Sequence, residues 1–139
     1  MKRWMALIAL AALLCCALTP GVSYTEDRDT VLLARTIYAL GRGESYDAKL
    51  AIGTVAMNRV RSVWFPDSLE GVLTEQHQFP IGSRYDDESL SAAHEVVAGR
   101  RTLAGEALYY QRLSASEPWT LAPLKTVGGY AFFAENGAD

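Results

Sequence analysis

The chain has 139 residues, half of them hydrophobic, with 13 basic against 16 acidic side chains and a net charge of −3. This length fits one domain with a short extension. Because binding to phosphates needs a basic face, the acidic balance argues against nucleic acid as a partner.

The N-terminal segment has the features of a secretory signal. Lys2 and Arg3 precede an apolar run over Trp4–Leu18. That run is shorter than the roughly 20 residues that a comfortable membrane span needs. Small residues at Gly21–Ser23 suit cleavage by a signal peptidase. We therefore expect residues 1–23 to be a signal peptide, which leaves no membrane span in the mature chain. An uncleaved anchor is the alternative.

Cleavage after Ser23 would remove both cysteines of the chain, Cys15 and Cys16. The mature chain would then have neither a disulfide nor a thiolate metal site. Its two histidines, His77 and His94, are too few and too far apart in sequence for a metal site, so we expect no metal and no cofactor.

The mature chain would carry 11 basic against 16 acidic residues, a net charge of −5. We expect residues 24–30 to be a linker and residues 31–135 to form one domain. It would be secreted, and its hydrophobic core alone would stabilise it. The sequence carries no signal for an oligomeric state.

Apolar residues at helical spacing predict four helices in this domain. They are Thr30–Leu40, Tyr46–Ser62, a short helix that ends near Glu75, and a helix from the acidic residues 86–88 to about Ala98. Asp29 or Thr30 is expected to cap the first helix, Ser45 the second, and Asp67 or Ser68 the third. Gly53 lies inside the second helix, where glycine is costly, so we interpret it as a close-contact position for another helix.

The fourth helix is expected to turn Leu90, Ala93, His94 and Val97 inward. Two aromatic runs, Ala107–Tyr110 and Tyr130–Phe133, predict strands that pair across the loop 114–124. The residues thus indicate a mainly helical domain with a small strand element.

Two segments carry the resemblance to a known family. Tyr38–Glu44 joins a helix end to a glycine-rich turn with Arg and Glu, and Ala51–Val60 is a helix that ends in Asn-Arg-Val. With Gln78-Phe79, Ala107–Tyr110 and Gly128–Phe133, they resemble the SleB-type cell wall hydrolases, the spore-cortex-lytic enzymes. The resemblance implies a lysozyme-like α+β fold, with helices around a small sheet. It also implies that the partner is the glycan strands of bacterial peptidoglycan.

The resemblance places the catalytic acid of the family at Leu40, which has no proton to give. Lytic transglycosylase-type members use one Glu as acid and then as base. Glu44 is the alternative acid in this chain, or it forms an ion pair with Arg42 or Arg59. We favour the structural role for Glu44, because a misplaced acid is strongly penalised.

Five residues are candidates for substrate binding: Arg42, Asn58, Gln78, Tyr109 and Tyr110. Arginine and side-chain amides suit sugar hydroxyl and acetamido groups, although Arg42 can also brace the turn and Asn58 can cap a buried backbone group. Aromatic faces stack on sugar rings. Because side chains alternate along a strand, we expect only one of the two tyrosines to face the cleft.

Two functions therefore follow from the sequence. The first is an exported domain that cleaves peptidoglycan glycan strands, as a hydrolase or a lytic transglycosylase, with Glu44 or another carboxylate as its acid. The second is a catalytically inactive domain that binds peptidoglycan or a wall partner. A folded extracellular domain with no glycan role is a weaker third.

We predict that export removes the residues before Tyr24, because the basic start, the apolar run and the small residues at 21–23 form a signal peptide. N-terminal sequencing of the secreted protein should give a start at or near Tyr24. A start at Met1 would show instead that the segment is an uncleaved anchor.

Overall fold

The computed structural model describes residues 26–137. The predicted signal peptide lies outside these residues. The described part contains helices α1 (Arg28–Gly41), α2 (Tyr46–Arg61), α3 (Leu69–Thr74) and α4 (Asp87–Val97), followed by strands β1 (Tyr109–Arg112), β2 (Lys125–Val127) and β3 (Tyr130–Phe133). Among residues 26–137, no helix is long and apolar enough to cross a membrane.

Side-chain caps fix the starts of three helices. The Ser45 hydroxyl accepts a hydrogen bond from the Ala48 amide, which confirms the predicted cap of α2. Ser68 caps α3 in the same way, so Ser68 rather than Asp67 is the cap. The Asp86 carboxylate caps α4 at 2.8 Å from the Ser89 amide.

The predicted cap of α1 is wrong. The helix begins at Arg28, and Asp27 rather than Asp29 or Thr30 occupies the N-cap position. Thr30 is buried, and its hydroxyl donates to the Asp27 carboxylate at 3.4 Å. The helix therefore starts with polar residues, before its first buried side chain at Thr30, and the apolar pattern does not reveal this start.

Helices α1, α2 and α4 enclose the core, and Ile37, Val55 and Val96 are fully buried in it. Gly53 lies at their contact. A β-carbon there would stand 3.0 Å from Val96 Cγ2 and 3.3 Å from Ile37 Cδ1. This confirms that Gly53 allows a close approach between helices.

The predicted inward face of α4 is only partly right. Ala93 is buried and Leu90 is partly buried, but Val97 is 39% exposed. His94 is also exposed, and its Nε2 lies 3.0 Å from the Glu26 carboxylate at the surface. The residues buried along this helix are Ser89, Ala92, Ala93 and Val96. Small side chains let α4 approach its neighbours, so shape rather than hydropathy sets the buried face.

The sheet has the order β1-β3-β2, and both pairings are antiparallel. The predicted pairing of the two aromatic strands is confirmed, with Tyr110 opposite Phe132. All four residues of the central strand β3 are buried. The sequence did not predict β2, which is a mostly exposed strand of three residues without an apolar alternation.

Gly53→Val should lower the free energy of unfolding by about 1–3 kcal/mol, because the added carbons overpack the contact with Val96 and Ile37. Gly105→Val is the matched control, since nothing lies within 4 Å of a β-carbon there. Denaturant unfolding of both variants tests the prediction. Equal stability of the Gly53→Val and Gly105→Val variants would show that the contact between the helices accommodates a larger side chain.

Candidate functional site

Leu40 lies at the end of α1 as part of the hydrophobic core, with only 9% of its surface exposed. Its backbone carbonyl accepts hydrogen bonds from the Tyr130 hydroxyl at 2.7 Å and from Arg112 Nη2 at 3.1 Å. The Arg112 guanidinium in turn lies over the Tyr130 ring, 4.9 Å from its centroid. The strands therefore hold the end of α1 through the backbone of Leu40, while its side chain packs inward.

Glu44 follows in the turn between α1 and α2, and its partner is a backbone amide. Its Oε2 accepts a hydrogen bond from the Gly129 N–H at 2.9 Å. A β-carbon on Gly128 or Gly129 would come within 2.6 Å and 2.5 Å of the carboxylate oxygens, and Gly128 has φ 56°. The two glycines thus leave a space, the Gly128-Gly129 cradle, that holds the Glu44 carboxylate. A larger residue at either position would fill it. Glu44 joins the α1–α2 turn to the β2–β3 turn through this bond.

Neither predicted ion pair of Glu44 is present among residues 26–137. Arg42 is exposed instead, and its guanidinium lies 5.9 Å from the Tyr38 ring centroid. Arg84 approaches the same ring at 5.7 Å. Arg42 therefore belongs to a surface cluster around Tyr38.

Asn58 is buried, and its side-chain amide forms hydrogen bonds with backbone groups. Its Nδ2 donates to the carbonyls of Ala104 and Ala107 at 2.9 and 3.1 Å. These bonds use both amide N–H groups of the side chain. Of the two roles considered from the sequence, the geometry favours the one that satisfies backbone groups.

A cleft of about 300 Å³ opens at the start of β1. It brings together three of the predicted contact residues, Gln78, Tyr109 and Tyr110. The remaining lining residues are Arg59, His77, Trp119 and Asn136. The tryptophan enters from the loop between β1 and β2, and its ring packs edge-on against Phe133 with the centroids 5.0 Å apart.

Arg59 forms the inner wall of this cleft and is only 2% exposed. Its Nε donates to the Leu108 carbonyl at 2.7 Å and its Nη1 donates to Gln78 Oε1 at 3.0 Å. Burial lowers the pKa of Arg59, and nearby Tyr110, Tyr109 and Glu75 oppose that shift.

Three aromatic rings surround the same guanidinium. The ring centroids of Phe65, Phe79 and Tyr109 lie 4.6, 4.7 and 5.5 Å from its central carbon. The negative faces of aromatic rings attract a cation at such distances. The cation therefore connects α2, the loop after α3 and the start of β1.

Tyr110 supports the loop that carries Gln78. Its hydroxyl donates to the Gln78 carbonyl at 2.9 Å, and its ring stacks on Phe79 with the centroids 5.4 Å apart. Burial raises the pKa of Tyr110 to about 12, against the opposing effect of Arg59.

Tyr109 and Tyr110 are both half-buried, and both line the cleft. Tyr110 also packs against the hydrophobic core and stacks on Phe79, as expected for the inward one of the two tyrosines, whereas Tyr109 is not part of that packing. Which of them contacts a glycan stays a prediction. Within residues 26–137, no three His, Cys, Asp or Glu side chains converge to hold a metal ion.

The sequence model of the Cell Wall Hydrolase family matches residues 43–133. The chain belongs to this family. The match begins just after Leu40 and includes Glu44 and every residue that lines the cleft except Asn136.

Curated relatives of the chain are spore cortex-lytic enzymes. The one from Bacillus subtilis strain 168 is 32% identical over 115 residues, which cover 77% of this chain and 38% of the relative. The one from Oceanobacillus iheyensis is 29% identical over 126 residues, which cover 82% of this chain and 45% of the relative. The chain thus spans less than half the length of these relatives.

Two solved structures share the fold with a TM-score of 0.68. The catalytic domain of the Bacillus cereus SleB protein is 28% identical, and the match covers 76% of this chain and 88% of that one. The catalytic domain of the germination-specific lytic transglycosylase SleB from Bacillus anthracis is 26% identical, with coverage of 81% and 99%. They confirm the SleB-type, lysozyme-like fold that the sequence resemblance implied.

The raised pKa of Tyr110 predicts a pH-dependent contribution to stability. The unfolded chain ionises this phenol near a pKa of about 10, whereas the folded protein keeps it neutral up to about 12. The contribution is therefore fully present below about pH 10 and is lost as the pH rises through about 12.

Denaturant unfolding of the wild type and Tyr110→Phe, repeated across this window, isolates the contribution from those of other tyrosines. The stability advantage of the wild type should shrink as the pH rises. An advantage that stays constant over the window would contradict the buried position of the hydroxyl.

Proposed function

We propose that this chain binds the glycan strands of peptidoglycan and cleaves them little or not at all. It would do so as an exported domain, secreted or associated with the cell wall. The proposal rests on one combination of features. The chain has a cell wall hydrolase fold with a cleft of sugar-binding chemistry, while an apolar residue occupies the place that resemblance gives to the acid.

The cleft has the chemistry that a glycan requires. Tyr109 and Trp119 offer aromatic surface for sugar rings, and Tyr110 borders the cleft with its ring stacked on Phe79. The Gln78 amide offers donors for hydroxyl or acetamido oxygens. The volume of about 300 Å³ is at the lower end of the usual range for small-molecule sites. The names of the relatives, spore cortex-lytic enzymes and a lytic transglycosylase, support glycan strands as the ligand.

Cleavage needs a proton for the leaving group, and the end of α1 supplies none through Leu40. Loss of a general acid costs about 10²–10⁴-fold in rate. Where one carboxylic acid acts first as acid and then as base, its loss affects both steps, so we expect the upper end of that range. Leu40 is also packed in the core, which supports a structural role for its side chain.

Cleavage by Glu44 is the second candidate. Burial raises the pKa of Tyr130, Arg112 opposes the shift, and Glu44 adds to it. The Glu44 carboxylate therefore acts electrostatically on the tyrosine that binds the Leu40 carbonyl. Against this candidate, the carboxylate is held in the Gly128-Gly129 cradle, and an acid away from its productive position loses most of its effect.

The test compares four proteins on the same insoluble peptidoglycan: the wild type, Leu40→Glu, Leu40→Gln and Glu44→Gln. The wild type should be retained in the pellet and should release almost no soluble fragments. Leu40→Glu should gain cleavage activity because it restores an acid. Leu40→Gln is the matched control, since it adds a similar polar group at the same position without a proton to donate.

Circular dichroism should accompany the assay, because a polar group at a buried helix end costs stability. Strong wild-type cleavage that Glu44→Gln abolishes would make Glu44 the acid and contradict the inactive assignment. A wild type that stays in the supernatant would contradict the glycan-binding proposal itself. Failure of a folded Leu40→Glu to cleave would show that more than one catalytic feature has been lost, which also favours binding.

A further inference from the structure

The cleft contains a buried cation that forms no ion pair among residues 26–137, although Glu75 lies near enough to act on it electrostatically. The ion pairs in this part of the chain involve Arg28, Lys49, His94 and Arg100, and none of them includes Arg59. Buried charges in proteins are ordinarily paired. The groups that surround Arg59 are instead carbonyl and amide oxygens and the faces of three aromatic rings.

The side chain beside this cation is oriented as a donor toward the cleft. Because Gln78 Oε1 accepts the hydrogen bond from Arg59 Nη1, the Nε2 amino group is what Gln78 can offer a ligand. The Tyr110 hydroxyl is occupied with the Gln78 carbonyl and holds this orientation from behind.

The neighbouring residue brings a second nitrogen-bearing side chain to the wall. His77 adopts φ 63°, a left-handed conformation that few residues other than glycine take. Its ring lines the same cleft. Unusual backbone conformations of this kind often occur at binding sites, and here one occurs at a residue that lines the same cleft as Arg59 and Gln78.

We infer that this cleft is a carboxylate site, in which the Arg59 guanidinium and the Gln78 amide bind a free carboxylate on the peptide stems of peptidoglycan. The inference rests on the proposed function and deepens it, because it assigns an anionic group to a cleft otherwise suited to neutral sugars. Arginine forms its strongest hydrogen bonds with carboxylates, particularly where water is excluded. A charge-assisted bond of this kind corresponds to about 10- to 100-fold in affinity.

The first experiment changes the ligand rather than the protein, so folding does not affect it. Retention of the wild type is measured on native insoluble peptidoglycan and on the same material after carbodiimide-mediated amidation of its carboxylates. We expect amidation to weaken binding about 10- to 100-fold. Equal affinity for the two materials would overturn the inference but leave the proposed function intact.

The second experiment gives the Arg59 guanidinium a carboxylate partner from the protein itself. Gln78→Glu puts a carboxylate where the amide oxygen now lies 3.0 Å from Arg59 Nη1, so the guanidinium gains an internal partner and the fold should persist. Gln76→Glu is the matched control, because it makes the same change at an exposed side chain two residues away. We expect Gln78→Glu to bind native and amidated material equally weakly, whereas Gln76→Glu should discriminate as the wild type does. A Gln78→Glu variant that still prefers native material would overturn the inference.

A third measurement does not depend on peptidoglycan binding. N-acetylalanine and its amide are titrated separately while the indole N–H signal of Trp119, a residue of the cleft wall, is followed by NMR. The carboxylate form should shift this signal in the wild type and not in Gln78→Glu, and the amide form should shift it in neither. A shift without retention on peptidoglycan would reject the proposed function and keep the carboxylate site. No shift with the carboxylate form would reject the site.

Discussion

The buried guanidinium of Arg59 is the interaction on which the rest of the cleft depends. It extends from α2, bonds to the Leu108 carbonyl just before β1, and bonds to Gln78 in the loop after α3. Three segments that are distant in sequence therefore meet at one planar cation. Its aromatic neighbours exclude water, and in such surroundings each hydrogen bond is stronger and each unpaired group costs more. The geometry of the cleft is consequently a property of the folded core rather than of its loops.

A second connection, at the end of α1, bears on catalysis. The Leu40 carbonyl is bonded to Tyr130 and Arg112, and the Glu44 carboxylate is bonded to the Gly129 amide. These contacts join the end of α1 and the turn after it to β1, to β3 and to the turn before β3. The region to which the resemblance assigns the acid thus connects the helices to the sheet here. This is why we favour a domain that keeps the family's fold while contributing little cleavage.

Local signals in the sequence predicted most of the fold. The Ser45 cap and the α2 stripe are short-range features, so the bounds of α2 came out within one residue. The face of α4 was wrong at His94 and Val97, because close packing of alanines, which hydropathy does not score strongly, sets its rotation. Strand β2 is exposed and has no pattern of its own, since its pairing with β3 alone makes it a strand.

The candidate site was predictable only in part. Gln78, Tyr109 and Tyr110 line one cleft, whereas Asn58 satisfies backbone carbonyls and Arg42 lies at the surface around Tyr38. The sequence analysis did not assign Arg59 or Trp119 to the cleft. The Asn-Arg-Val motif was a signal for Arg59, but a buried arginine and an exposed one look alike in sequence. Trp119 reaches the cleft through a loop whose path depends on tertiary contacts.

The most direct test of binding without cleavage is a crystal structure of the protein soaked with a peptidoglycan tetrasaccharide that carries its peptide stems. We predict an uncut glycan along the cleft bordered by Tyr109, Tyr110 and Gln78. A glycan cut next to Glu44, or an oligosaccharide bound elsewhere on the surface, would contradict this assignment of the domain.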